Sequence, residues 1–412
     1  MSSPSFIRVS STHFTWKDKP YFLVGANYWQ AMNLSMSTGN RTRVLQDLEK
    51  LKQMGINNVR IMAGSEGPNE EPFRMKPALM KEPKVYDESV FEGLDWFLDQ
   101  LSKFDMTATM TLSNFWQWSG GFAQYVSWCD PTHPPIPYPT SSDFTTFELF
   151  ASRFYSDPSI YPACQSLYQH HVRTVLTRRN TFNGKLYKED PVIFAWELAN
   201  EPQIVLGDNG RKIVRTWIEE SARVIKDLDA NHLVTTGAEG KNGKDWFLEM
   251  HECSDIDYAS AHVWVENWGY YDSNDPSTEN YTRAENFMLN FIDNVSKWST
   301  EELGKPVYLA EYGLARDGWL PVSKYSPSAP TINRNKYYSS LMNKVLSLEK
   351  SRSFSGQAFW AYSGIARPVD PPPQWLGDPP HEPAGWYSVY DADEETLQII
   401  RTHSDEVKKL EE

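Results

Sequence analysis

The chain is poor in cysteine: only Cys129, Cys164 and Cys253 occur among its 412 residues. Three separated cysteines cannot form a disulfide framework, and without a CxxC motif or a Cys/His cluster they predict no zinc site. No apolar run is long enough to cross a membrane, and the N-terminus lacks the apolar stretch of a secretory signal. We therefore expect no membrane partner, and a cytoplasmic protein if Met1 is the natural start; removal of a leader would instead make it secreted.

Basic residues are also in short supply, with 40 lysines and arginines against 54 acidic residues and a formal net charge of −14. They are scattered, which excludes the basic patch of a nucleic-acid-binding protein. Aromatic residues, in contrast, make up 14% of the chain and include 16 tryptophans. This many indoles indicates a surface that stacks on flat ligand faces such as sugars, although a large core can also bury many. Nothing in the sequence indicates an oligomeric state.

Short β-branched runs alternate with amphipathic stretches along the chain. The predicted strands are Phe22–Asn27, Asn58–Met62, Thr107–Leu112, Val192–Ala199, Leu233–Thr236, Ile256–His262, Val307–Glu311 and Gln357–Ala361. The predicted helices are Arg41–Met54, Glu88–Phe104, Lys212–Leu228, Arg283–Glu302, Asn335–Lys350 and Glu394–Leu410. Eight strands, each followed by a helix or a long loop, predict an α/β fold, a single (β/α)8 TIM barrel over residues 1–412. A doubly wound open sheet is disfavoured because its glycine-rich first turn is absent.

Three segments fall outside this alternation. Residues Phe6–Tyr21 are predicted as a hairpin that closes the barrel floor. The segments Trp116–Asp157 and Ser363–Asp391 follow the third and eighth strands and contain proline clusters, including Pro371–Pro373. Such clusters can be recognition ligands. Here we predict stiff loops around the barrel mouth, because both segments leave the C-terminal ends of strands.

Polar side chains, the indole of Trp360 included, lie at or near the ends of six of the predicted strands. They are Arg60, Asn114, Asn200, Glu201, His262, Glu311 and Trp360. Glu201 and Glu311 form the carboxylate pair that glycosidic cleavage needs, one an acid with a raised pKa and the other a nucleophile that Arg60 would keep ionised. Glu197 lies deeper in the barrel, where a buried ion pair or hydrogen bond is expected. On these residues alone, other barrel hydrolases and isomerases stay possible.

Two motifs sharpen this prediction. Asn200-Glu201-Pro202 ends the fourth predicted strand, and the pattern Lys-Pro-Val-x-x-x-Glu-x-Gly spans Lys305–Gly313 on the seventh. With Arg60, His262 and Trp360 at the ends of strands two, six and eight, they resemble glycoside hydrolase family five over nearly the whole chain. The stretches GANYW from Gly25, LSNFW from Leu112 and DANHLVTTG from Asp229 are similar to its β-mannanase branch.

The resemblance implies a site and a mechanism. Glu201 would be the general acid/base and Glu311 the nucleophile of a double displacement that retains the β configuration, with no metal or cofactor. Asn200 would bind the 2-hydroxyl of the reacting mannose, Arg60 would position Glu311, and Trp360 would form the floor of that subsite. The further predicted substrate-binding residues are Asn114, His262, Trp264, Trp116, Trp118, Gln203 and Trp29. The expected partner is a mannan-type oligo- or polysaccharide.

Three positions depart from that branch. Gln203 replaces the arginine that follows Asn-Glu-Pro, which weakens the grip on a distal sugar. Trp264 replaces a tyrosine, so the hydroxyl that contacts the nucleophile is expected to be lost. Trp118 adds a bulky indole in the third loop, which together with the proline-rich loops would close one end of the cleft. With no signal peptide, this favours an exo-acting β-mannosidase on manno-oligosaccharides, with transglycosylation on an aromatic acceptor side.

Three alternatives stay open. The first is an endo-β-1,4-mannanase that cuts mannan, galactomannan or glucomannan inside the chain. The second is a family-five β-glucanase, which activity on cellodextrins would reveal. The third, from a different class, is a carbohydrate-binding barrel without catalysis; it is disfavoured because both Glu201 and Glu311 are present.

Overall fold

The structure, a computed structural model, describes residues 5–139, 144–370 and 375–412. Eight parallel strands form one sheet whose strands are almost wholly buried. We number them in chain order as β1 (Leu23–Asn27), β2 (Asn58–Met62), β3 (Thr107–Thr111), β4 (Ile193–Glu197), β5 (Leu233–Thr235), β6 (Ala259–Val263), β7 (Val307–Tyr312) and β8 (Gly356–Phe359). Neighbours follow the order 5-4-3-2-1-8-7-6. This confirms the predicted (β/α)8 barrel.

Individual hydrogen bonds, including two between the strand starts, close the barrel at the seam between β5 and β6. Asp257 N donates to Val234 O at 2.8 Å, and Thr235 Oγ1 donates to Tyr258 O at 3.0 Å. In the described part of the chain no strand ladder joins these two strands, whereas every other neighbouring pair forms one.

Helices surround the barrel. Their bounds are Ala31–Leu34, Arg41–Gln53, Glu88–Lys103, Gly121–Cys129, Thr145–Ser156, Tyr161–Leu176, Gly207–Leu228, Lys244–His251, Thr278–Lys297, Ile332–Lys350 and Glu394–Glu411, with a π-helical turn at Trp298–Leu303 and 3-10 turns at Gln117–Ser119 and Tyr187–Glu189. Gly55, at a φ of 77°, ends the helix after β1 as predicted, because glycine tolerates that backbone conformation. None of the described helices is long and apolar enough to cross a membrane.

The floor of the barrel is a three-stranded antiparallel sheet, one strand more than the predicted hairpin. Its strands are Arg8–Ser10, His13–Trp16 and Lys19–Tyr21. Two-residue turns connect them, and the second, at Lys17 and Asp18, has both residues at positive φ, as in the tight turns that match strand twist. Phe14 packs edge-on against Phe194 and Tyr258, at 5.1 and 5.2 Å between ring centroids, and so seals the barrel interior.

The segments after β3 and β8 both lie at the C-terminal end of the barrel. The first is more regular than the predicted loop, since it contains the helices Gly121–Cys129 and Thr145–Ser156. The second is irregular, and the short paired strands Tyr362–Gly364 and Val389–Tyr390 hold its two ends together. The proline cluster at Pro371–Pro373 lies outside the described residues.

Candidate active site

The ends of β2, β6 and β7 and the segment after β4 bring four of the predicted residues together. His262 on β6 and Glu311 on β7 are register partners. One carboxylate oxygen of Glu201, one of Glu311 and a ring nitrogen of His262 all lie within 4.8 Å of one another. Arg60 donates a hydrogen bond to Glu311 Oε1. These four residues, predicted from the ends of the strands, therefore form one compact cluster of titratable side chains.

Glu201 is fixed from both sides of its carboxylate. Its Oε2 accepts a hydrogen bond from Trp116 Nε1 at 2.6 Å, and its Oε1 lies 2.7 Å from His262 Nδ1. The backbone of Glu201 has a φ of 51°, a left-handed conformation that residues other than glycine rarely adopt and that is often found at functional sites. Burial raises the pKa of Glu201, but the hydrogen bond and charge of His262, with the Trp116 bond, outweigh it, so that the pKa lies below its usual value.

Glu311 is the more deeply buried acid, 3% exposed against 8% for Glu201. Its Oε1 accepts from Arg60, and its Oε2 accepts from Trp264 Nε1 at 3.2 Å. The tyrosine hydroxyl is absent, as expected, but the indole nitrogen of Trp264 supplies a donor in its place. Burial raises the pKa of Glu311 more than His262 and Arg60 lower it. Arg60 thus lowers the pKa of Glu311, as expected, but burial outweighs its effect.

The two shifts run opposite to the expected acid and nucleophile. Carboxylates this close compete for protons, because a charge on either one favours the protonated form of the other. His262 Nδ1 lies 2.7 Å from Glu201 and 3.5 Å from Glu311, and can donate to either acid. The shorter contact with His262 favours the charged form of Glu201 over that of Glu311.

Arg60 is held by more residues than Glu311. Its Nε and Nη2 donate to Glu197 at distances down to 2.6 Å, Nη2 donates to Asn200 Oδ1 at 2.7 Å, and Nη1 donates to Asn27 Oδ1 at 3.0 Å. Glu197, 1% exposed, thus forms the buried ion pair predicted for it. The pair fixes the plane of the guanidinium, so that its remaining edge faces Glu311.

Two amides continue this network. Asn200 Nδ2 donates to Asn114 Oδ1 at 3.1 Å, while its own oxygen accepts from Arg60. These bonds fix the orientation of both side chains. Asn114 Nδ2 is buried and has no hydrogen-bond partner among the described residues. It is therefore an unused donor beside Asn200.

Four predicted tryptophans line the site, and all are nearly buried. The ring centroid of Trp118 lies 5.5 Å from that of Trp29 and 6.2 Å from that of Trp360. Trp264 also packs against Trp360, with 6.2 Å between their ring centroids. His381 lies parallel to Trp118 at 6.5 Å, which brings the segment after β8 onto the segment after β3. Trp29 Nε1 also donates to Gly377 O in the second segment at 2.8 Å.

Gln203 stands apart from this cluster. It lines a small cavity of about 20 Å³ together with Glu239 and Lys241, beyond Glu201. Glu239 was missed by the sequence prediction, although it follows β5 closely and the strand-end rule could have found it. Burial, and then the charge of Glu201, raise its pKa well above the usual value.

Glu382 was also missed, because its irregular segment carries no motif. Burial raises the pKa of Glu382, and the charges of Asp378 and of both acids of the pair raise it further. The charges of Glu201 and Glu311 therefore reach this segment.

Glu201, His262 and Glu311 also have the donor types and spacing that a metal ion could use. Their donor atoms are already engaged, since Trp116, His262, Arg60 and Trp264 all bond to the two carboxylates. The adjacent positive charge of Arg60 opposes a cation. The arrangement suits proton transfer better, and the absence of a metal or cofactor stays a prediction.

Comparison with known proteins identifies the family. The family model described as GH family 5 beta-mannosidase-like matches residues 4–412. A glycoside hydrolase family 5 mannosidase from Rhizomucor miehei is 45% identical and superposes with a TM-score of 0.93 over 98% of each chain, and one of its variants has been solved with mannosyl-fructose. Mannan endo-1,4-beta-mannosidase 8 from Oryza sativa subsp. japonica is 30% identical over 76% of this chain and 81% of its own. Mannan endo-1,4-beta-mannosidase 5 from Arabidopsis thaliana is 28% identical over 86% and 78%. The chain therefore belongs to the β-mannosidase-like members of glycoside hydrolase family 5.

Proposed function

We propose that the protein is a retaining exo-β-mannosidase that releases mannose from the ends of β-1,4-manno-oligosaccharides. Action on β-mannosidic bonds follows from the family. The observation that carries the exo mode is the near-complete burial of the tryptophans around the carboxylate pair. In a groove open at both ends, the indole under the reacting sugar would expose one face.

The separation of the two acids supports double displacement. Carboxyl groups of retaining enzymes lie about 5–5.5 Å apart, whereas inverting enzymes leave about 6.5–9.5 Å for a water. Here oxygens of Glu201 and Glu311 approach within 4.8 Å. Glu311 attacks the anomeric carbon while the bond to the leaving oxygen breaks and Glu201 gives that oxygen its proton. Glu201 then removes a proton from water, which attacks the mannosyl ester and frees Glu311.

The proton on Glu201 follows the charge on Glu311. A bound sugar covers Glu201 further, and burial raises the pKa of a carboxyl. The charged nucleophile beside it acts in the same direction. Once Glu311 is esterified its charge is gone, and the pKa of Glu201 falls so that it can act as a base. Arg60 and Trp264 donate to Glu311 and stabilise its ionised form before attack.

The exo mode rests on how the mouth is closed. Trp29, Trp118 and Trp360 are 2%, 3% and 4% exposed. His381 covers Trp118 from the segment after β8. Closed on this side, the mouth would stop a chain from continuing past a terminal mannose. The alternative is endo action, which the names of the plant relatives favour at 28% and 30% identity.

Initial products from mannopentaose distinguish the two modes. Exo action gives mannose and mannotetraose from the first time points. A spread of oligosaccharides without early mannose would overturn it. Glu201→Gln and Glu311→Gln should each abolish most turnover, since general acid–base catalysis alone contributes about 10²–10⁴-fold. Glu349→Gln is the matched control, because it changes a buried carboxyl on the helix Ile332–Lys350, and it should retain full activity.

Transglycosylation is part of the proposal. The leaving group of the first step would lie next to Glu201, on the side of Trp116 and the neutral Gln203. A second sugar can bind there and replace water as the acceptor of the mannosyl group. A relative solved with mannosyl-fructose supports an acceptor that is not mannose. Mannobiose at high concentration should give mannotriose and longer products; mannose alone at every concentration would contradict this.

A further inference from the structure

Glu66 is a fully buried carboxyl that has no part in the mechanism above. It lies after β2, in the segment that leads to Met80. Its side-chain oxygens accept hydrogen bonds from Gly121 N at 2.8 Å and from Ser113 Oγ at 3.4 Å. Its backbone N donates to Ser119 O at 2.7 Å. Three of its polar groups thus contact the segment 113–121, which follows β3.

That segment carries the residues that shape the reacting end of the pocket. Asn114 accepts from Asn200, Trp116 donates to Glu201, and Trp118 covers Trp360. Glu66 bonds to the segment on both sides of these three, at Ser113 before them and at Ser119 and Gly121 after them. The segment is therefore held at its two ends by one residue.

The backbones of Glu66 and Gly120 are packed directly against each other. A Cβ at Gly120 would come within 1.9 Å of Glu66 O, and Gly120 has a φ of 93° that favours glycine. The carbonyl of Glu66 is itself fixed by Arg74 Nη1 at 2.8 Å, and Met75 N donates to Trp118 O at 2.8 Å. The segment after β2 thus encloses the indole-bearing segment with a rigid frame of hydrogen bonds.

We propose that Glu66 is a positioning residue, which holds the segment 113–121 so that Trp116 reaches the acid/base and Trp118 closes the pocket. It does not touch the substrate. A donor to the acid/base displaced by even 1 Å costs about 10²-fold in rate. The consequence for pocket closure rests on the proposed exo function, whereas the effect on Trp116 requires only that Glu201 acts as acid/base.

The first test compares Glu66→Ala, Glu66→Gln and the control Glu349→Gln on mannobiose. Glu66→Ala should lower kcat about 10- to 100-fold with a smaller change in KM, because the displaced Trp116 acts on the chemical step. Glu66→Gln should recover only part of this loss, since its amide oxygen can still accept from Gly121 N but its amide nitrogen cannot accept from Ser113 Oγ. Glu349→Gln should match the wild type. A folded Glu66→Ala protein with wild-type kcat and KM would overturn the proposal.

A double-mutant cycle shows whether Glu66 acts through Trp116. In a Trp116→Phe background the donor to Glu201 is already absent, so Glu66→Gln should have little further effect on kcat. Effects that multiply independently would refute positioning through Trp116. The Gln variant keeps this cycle informative where the Ala variant fails to fold.

Amide hydrogen exchange gives a readout that does not depend on activity. Residues 113–121 should lose protection in Glu66→Gln but not in Glu349→Gln. Equal protection in both variants would contradict the proposal. A wild-type protein that releases no mannose from mannobiose would instead refute the proposed exo-mannosidase function, while the exchange comparison would still decide the role of Glu66.

Discussion

Replacing Arg60 with lysine tests whether its guanidinium geometry, and not its charge alone, serves the nucleophile. Arg60 donates to four residues at once: Glu197, Glu311, Asn200 and Asn27. A lysine ammonium keeps the charge but is a compact donor that cannot reach both carboxylates. Whichever acid it leaves is a buried charge without its partner, and this costs about 3–5 kcal/mol of unfolding free energy.

The catalytic loss is expected to be of similar size. Removing one fixed donor to a developing or reacting charge costs about 10²–10³-fold in kcat. We therefore expect Arg60→Lys to lower kcat/KM on mannobiose by about 10²–10³-fold, measured at a temperature where denaturant titration shows the variant to be folded.

Arg334→Lys is the matched control. Arg334 is also fully buried, with Ser388 O and Asp393 as acceptors at 3.0 and 2.9 Å, on the helix Ile332–Lys350. It should lose stability to a similar extent and keep the wild-type kcat/KM. Wild-type kcat/KM in Arg60→Lys, or an equal loss in Arg334→Lys, would refute the reasoning.

Substitutions at three further positions give distinct outcomes. Trp118→Ala should add mannobiose and mannotriose to the first products from mannopentaose, because it opens the pocket; chromatography showing only mannose release would count against closure. Trp264→Phe removes the donor to Glu311 and should lower kcat about 10²-fold, while Trp264→Tyr restores part of it; equal rates in both variants would rule out the hydrogen bond. Burial, with the charge of Glu411, raises the pKa of Glu349 to about 8, so the folded state binds its proton more tightly and loses stability as pH rises from about 4.5 to 8. Glu349→Gln should therefore gain unfolding free energy over the wild type by about 1.4 kcal/mol per pH unit in that window, and a difference independent of pH in urea titrations would contradict it.

The barrel and its reacting residues were predictable because both follow from strand patterns. Buried β-branched runs are typical of parallel strands, and polar residues directly after such runs must meet at one end of a closed barrel. Glu201 and Glu311 lie far apart in sequence, yet the rule placed them together.

The helix Thr145–Ser156 could also have been found, since Phe147, Ala151 and Phe154 repeat at helical spacing and are buried. Because the segments after the third and eighth strands contain proline clusters, they were predicted as loops instead.

Other features depend on distances that no pattern contains. The directions of the pKa shifts at the two acids follow from His262 bonding to one acid and burial dominating at the other. The sequence showed that a tyrosine hydroxyl was missing near Glu311, but not that the nitrogen of Trp264 takes its place. The contact of His381 with Trp118 joins two irregular segments, and neither has a repeat that could have predicted it.

The absence of a strand ladder between β5 and β6 in the described structure has a consequence for how the enzyme loses activity on heating. Sub-global opening begins where the pairing of elements is least regular, and the seam is the pair of neighbouring strands without a ladder among the described residues. The strand β6 carries His262, which bonds to Glu201. We expect activity to be lost at a lower temperature than the bulk of the helical circular dichroism signal. A cross-link between β5 and β6 would then protect the enzyme more than the same cross-link at any other pair of neighbouring strands.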